Sequence, residues 1–189
     1  MENLKVAING ILPSVVNEWN TVKLGQFTAL YEQSFEDYFK GRKTQEKTKV
    51  VSPILDSIFA RNLKQVVPTF EVDEGKGRDY CYGDIPIESK ITFGNGHGWT
   101  GNGYGKTPWH LLMRFNLTET GVITSYFAML ANLDECKSNW TAPGDKSNFS
   151  TLQFLVEDKD KLQVVTGSVS DKTKTGKDST YIKPVMVDV

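Results

Sequence analysis

The sequence predicts a mixed α/β domain: a central mixed, mostly antiparallel sheet flanked by helices. Three observations lead there. Apolar side chains between residues 21 and 64 recur at three- and four-residue spacing, the helical period. From about residue 65 the pattern changes to alternating or β-branched and aromatic runs, the signature of strands. The chain has 189 residues, 39% hydrophobic and 24% charged, which suits one packed domain over residues 1–189 and leaves little room for a second.

Taken in order, the first twenty residues have an acid at position 2 and a broken apolar run, so they do not read as a secretory signal. A helix is expected over 21–40, where Phe27, Leu30, Tyr31, Phe35, Tyr38 and Phe39 share a stripe. A second is expected over 53–64, capped by Ser52 and opened by Pro53, with Ile54, Leu55, Ile58, Phe59 and Leu63 on its apolar face. Strands are expected over 65–72, 78–93, 109–117 and 122–133, the last two joined at Thr118–Gly121. A polar loop spans 134–148. Residues 150–169 fit either two short strands or a helix and a strand. The tail is polar and basic, then ends in an apolar, strand-like run.

Charge and composition exclude several classes. No stretch approaches eighteen apolar residues, so no membrane span is expected. A net charge of −1 argues against a non-specific nucleic-acid coat protein. It leaves room for a DNA enzyme whose positive charge is concentrated on one face. Residues 40–49 are locally basic, with Lys40, Arg42, Lys43, Lys47 and Lys49 against Glu46. Cys81 and Cys136 have no metal-ligand spacing and read as free thiols of a reducing cytoplasm.

The chain holds four Glu-x-Lys triplets, at Glu74–Lys76, Glu88–Lys90, Glu135–Lys137 and Glu157–Lys159. Local geometry singles out the second. Gly83-Asp84 suits a two-residue hairpin turn, because glycine accepts positive φ without steric cost. With the turn there, Tyr82 faces Ile85, Tyr80 faces Ile87 and Asp79 faces Glu88, and alternation brings Lys90 to the same face. Ile85, Ile87 and Ile91 point the other way, into the core. Two opposed carboxylates repel unless a cation neutralises them. Mg²⁺, which takes one or two carboxylates and keeps waters and phosphate as further ligands, suits Asp79 and Glu88, with Lys90 beside them to assist a water. A shifted register makes Asp84 the alternative first ligand, with Asp73 third.

These residues resemble the PD-(D/E)xK nuclease motif, Asp79 followed by Glu88-Ser89-Lys90 in an Ile-rich strand. The proline of the motif's name is absent, since Arg78 precedes Asp79. In many members a helical acid joins the metal site, a role for which Glu32 and Glu36 are the candidates. The Gly-rich stretch that follows, with Asn95, His97, Trp99, Thr100, Asn102, Tyr104 and Lys106, contains no acid between 94 and 107. Glycines let a backbone approach phosphates, Asn reads adenine edges, Lys contacts phosphate or guanine and aromatics stack on bases. These seven are therefore the candidate DNA-binding residues. Gly96-His97-Gly98-Trp99-Thr100-Gly101 also matches a dinucleotide fingerprint, but no helix is expected to follow it.

The layout of Glu-x-Lys strand, Gly-rich stretch and Trp109-His110-Leu111-Leu112 is similar to type II restriction endonucleases. The resemblance implies a restriction-endonuclease-like fold and Mg²⁺-dependent, sequence-specific hydrolysis of phosphodiester bonds in double-stranded DNA. It further implies a C₂ homodimer, or pairing with a different second subunit, in a prokaryotic cytoplasm. Two other functions remain open: a repair nuclease or Holliday-junction resolvase of the same superfamily, and a non-catalytic DNA-binding domain.

Overall fold

The computed structural model describes residues 1–42, 44–73, 78–101, 107–141, 150–173 and 180–189. Helix α1 (Glu2–Glu18) places Leu4, Ile8, Ile11, Leu12, Val15 and Val16 on one buried stripe. It runs through a π-helical turn, Trp19–Lys23, into α2 (Leu24–Tyr31). Glu32 then adopts a left-handed conformation, φ 52°, which ends the helix. The Ser34 hydroxyl caps the short α3 (Phe35–Phe39). The single helix expected over 21–40 is therefore two, and the first begins far upstream of residue 21.

Helix α4 (Thr44–Val66) starts nine residues before the expected Pro53 and absorbs the start of the expected 65–72 strand. Ser52 lies inside it and caps nothing; its hydroxyl is buried without a partner among the described residues. Glu18 on α1 pairs with Arg61 on α4, tying the two long helices together.

The strands are β1 (Phe70–Val72), β2 (Tyr80–Tyr82), β3 (Ile85–Phe93), β4 (Trp99–Gly101), β5 (Trp109–Leu117) and β6 (Ile123–Asn132). After them come β7 (Ser150–Leu152), a 3₁₀ turn (Val156–Lys161), β8 (Gln163–Thr166), β9 (Ser168–Thr173), β10 (Thr180–Val185) and β11 (Val187–Asp188). The main sheet has the order β1-β2-β3-β5-β6-β11, with β8 also paired to β6. Every pairing in it is antiparallel except β3 with β5. A mixed α/β fold with a mostly antiparallel sheet is thus what this chain forms.

The two sheet faces bury different partners. Leu111, Met113, Phe115, Ala128 and Leu130 face α1 and α4 in the larger core. Their alternates Leu112, Phe127, Met129 and Ala131 face Trp99, Trp140, Leu152 and Phe154 in a second core. Helices thus cover one face. The other carries the β4–β7 and β9–β10 pairs and the 3₁₀ turn rather than the second helical layer that flanking helices would supply. The β5–β6 turn is fixed from α1's end, because the Trp19 indole donates to the Gly121 carbonyl at 2.8 Å. Among the described residues no helix is long and apolar enough to cross a membrane.

Candidate active site

Strands β2 and β3 form a hairpin about Gly83-Asp84, with Gly83 at φ 57°. Tyr82 pairs with Ile85, Cys81 with Pro86 and Tyr80 with Ile87, the register expected from the turn. One residue before Tyr80 the ladder becomes irregular. The Asp79 N–H donates to the Ile87 carbonyl at 3.1 Å, and the Asp79 carboxylate accepts from the Ser89 N–H at 2.7 Å. A side chain has replaced a main-chain carbonyl as the acceptor, which docks Asp79 onto the middle of the Glu88-Ser89-Lys90 triplet.

The Lys90 ammonium donates to Glu88 Oε1 and, at 3.0 Å, to the Ser89 carbonyl. It also lies 3.9 Å from Asp79 Oδ2. One ammonium thus donates to the Glu88 carboxylate and lies within ion-pair distance of the Asp79 carboxylate. Glu88 is buried, the Lys90 side chain is 17% exposed and the Asp79 side chain 42%, so the cluster opens to solvent on the Asp79 side. Among the described residues no three His, Cys, Asp or Glu side chains converge on one metal position. Asp79 and Glu88 are nevertheless oxygen donors of the kind Mg²⁺ takes one or two of, drawing its other ligands from water and substrate.

Asp84 sits exposed at the hairpin tip, four residues from Glu88, or about 13 Å along an extended strand. Asp73 is committed to an ion pair with Arg78 and accepts from the Cys81 thiol at 3.2 Å. Asp79 is therefore the carboxylate nearest the triplet. Glu32 and Glu36 are exposed near the α2–α3 junction, and among the described residues neither forms a hydrogen bond or ion pair with the hairpin. The helical acid that does reach it is Asp56 on α4, which the sequence reading passed over. Asp56 Oδ1 accepts from the Tyr80 hydroxyl at 2.5 Å and from the Ser89 hydroxyl at 3.2 Å. Burial raises its pKa and the nearby Asp79 charge adds to that, while the Tyr80 and Ser89 hydrogen bonds oppose it. A helical turn of 100° per residue places position 56 about 20° from Leu63, so an acid within the apolar stripe was the signal.

The wall behind Glu88 comes from β5. His110 pairs in register with Glu88 and is buried. Its Nε2 accepts from the Trp140 indole at 3.0 Å, so Nδ1 carries the proton and faces the Pro108 carbonyl at 3.3 Å. Burial holds the His110 pKa down at about 4, leaving the ring neutral near pH 7. Gly101 closes the roof: a Cβ there would lie 3.0 Å from Lys90 Cε.

The Gly-rich segment divides. Arg114, buried on β5, donates to the Gly94 carbonyl at 2.8 Å and the Gly98 carbonyl at 2.6 Å, pinning both ends of a five-residue span. Desolvation lowers its pKa to about 10, so it remains charged at neutral pH. No sequence signal marked it, since it reads as one more strand residue. Asn95 is exposed, and Thr100 is exposed on β4 opposite Thr151. His97 is half-buried beside Gln153 and the Tyr181 ring. Trp99, expected to touch DNA, is 1% exposed instead. Its ring packs edge-on against Phe154 and under the Arg114 guanidinium, because β4 turns that side chain into the second core. Asn102, Tyr104 and Lys106 lie outside the described residues. The segment leads into a strand rather than a helix, unlike a dinucleotide site.

Compared with protein-family models, curated proteins and solved structures, the chain matches none.

Proposed function

We propose that this protein is a Mg²⁺-dependent endonuclease of the type II restriction kind, hydrolysing phosphodiester bonds at a specific sequence in double-stranded DNA. The observation that carries the reading is the Lys90 ammonium in reach of both the Asp79 and Glu88 carboxylates. Asp79 and Glu88 are the residues that would hold Mg²⁺. When bound, the ion supplies neutralisation of phosphate charge and a more acidic water. Lys90 orients the attacking water and holds the phosphate. The Ser89 N–H keeps Asp79 on station, and the neutral His110–Trp140 pair keeps water from the back of Glu88. Asn95, His97 and Thr100 contact the DNA, and a C₂ homodimer in a prokaryotic cytoplasm matches a palindromic duplex site.

The test is digestion of a mixed-sequence plasmid with Mg²⁺, followed by sequencing of the fragment ends. Discrete ends with one shared sequence are expected, lost in Glu88→Ala and Asp79→Asn and retained in Asp84→Asn. Cleavage that survives Glu88→Ala overturns the site. Activity on four-way junctions or mismatched duplex alone moves the protein to a resolvase or repair role.

A further inference from the structure

The strongest feature outside the candidate site is a polar trough at the end of the sheet. The parallel strands β3 and β5 both end there, at Phe93 and Leu117. Two cavities, of about 390 and 310 Å³, meet at Asn95 and Asn116, which line both. Asn116 Nδ2 forms the floor by donating to Asn95 Oδ1 and to Ser125 Oγ, each at 2.9 Å. That leaves Asn95 Nδ2 and Asn116 Oδ1, a donor and an acceptor, without partners among the described residues.

A lysine lines each cavity. Lys47, from the basic segment of α4, lines one; Lys183, from β10, lines the other. Lys47 is held by aromatic rings, its ammonium 5.4 Å from the centre of Phe35 and 5.7 Å from that of Phe39. Among the described residues neither lysine has a carboxylate within ion-pair distance, although Asp188 lines the second cavity. Rings fix the Lys47 charge in place without neutralising it. Phe93 lies three residues beyond Lys90 on the same strand, about 10 Å along it.

We infer that this trough is a second DNA-contact site, in which the substrate strand running on from the active site sets its phosphates against Lys47 and Lys183 over the amide floor. The inference rests on the nuclease reading and adds the path of the DNA to it. It also joins three segments remote in sequence, the basic stretch of α4, Asn95 and the β10 strand, into one surface.

The test is equilibrium binding of a fluorescent mixed-sequence duplex in EDTA, where no cleavage occurs, over a series of salt concentrations. Lys47→Gln and Lys183→Gln remove the charge and keep the first two methylenes of the stem, and melting curves check that both variants fold. Each is expected to weaken binding and to reduce the slope of log K against log salt by about one, and the double variant by about two. Lys64→Gln, some 25 Å away at the other end of α4, is expected to leave the slope unchanged. If wild type binds and cuts DNA while both trough variants keep its slope, the trough is refuted and the nuclease reading stands. If wild type binds no duplex, both fall together.

Discussion

The proposed function gives Asp79 a second duty beside its bond to the Ser89 N–H, and two substitutions divide them. Its carboxylate is the acceptor for the Ser89 N–H, which belongs to a residue only 8% exposed. Asp79→Ala removes the acceptor and leaves that donor stranded. A buried unpaired N–H costs about 1–3 kcal/mol. The Asp79 side chain is 42% exposed, so water entering on that side holds the loss to about 1–2 kcal/mol. For a domain of this size that is a fall in Tm of about 2–8 °C. Asp79→Asn keeps an amide oxygen in reach of the same N–H, and its Tm should lie within about 2 °C of wild type. Both variants remove the carboxylate that the proposed function assigns to Mg²⁺, so both should lose Mg²⁺-dependent cleavage. Thermal unfolding measures the first duty, and hydrogen exchange at the Ser89 amide locates it: slow in wild type and Asn, fast in Ala. Equal melting and equal Ser89 protection in the two variants would refute the claim that this side chain completes the ladder.

Three further outcomes follow from the same geometry. The folded-state pKa of His110 is about 4 against 6.5 for the free group, so the unfolded chain takes up its proton first and stability falls as pH drops from 6.5 towards 4. Between pH 7 and 5, urea unfolding should show wild type losing about 2 kcal/mol more than His110→Gln; an identical loss in the two removes the assignment of a buried, neutral ring. Asp56→Ala strips the acceptor from the Tyr80 and Ser89 hydroxyls and should cost about 2–4 kcal/mol in chemical denaturation, with Asp56→Asn well below that. Gly101→Ala should push Lys90 aside, lowering cleavage about tenfold or more while the melting temperature barely moves, because the atom it meets is on a flexible side chain.

Some of this architecture was legible in the residues and some was not, for identifiable reasons. The Gly83-Asp84 turn and the pairing of Tyr80 with Ile87 follow from local chemistry, and local chemistry decides hairpins, whereas the expected pairing of Asp79 with Glu88 gives way to an Asp79 carboxylate that accepts from the Ser89 N–H. Helix α1 was missed although positions 4, 8, 11, 12, 15 and 16 keep a helical period; Gly10 and Pro13 interrupt it, and packing against α4 overrides them. The stop at Glu32 depends on a left-handed residue with no glycine to announce it. Trp99 looked like a loop aromatic because the strand that buries it, β7, lies fifty residues downstream. Asp56 was hidden the same way: its partners Tyr80 and Ser89 exist only once α4 lies against the sheet.

Arg114 gives the Gly-rich segment a particular thermodynamic character. A five-residue span with three glycines has large conformational entropy when free, and most such loops lose it only when a partner arrives. Here the guanidinium holds both ends by their carbonyls from inside the core. The ordering is completed during folding, so it no longer opposes association. A surface built this way is ordered before any partner arrives. Under the proposed function, such a segment should form complexes quickly with a DNA sequence it matches and adapt poorly to any other.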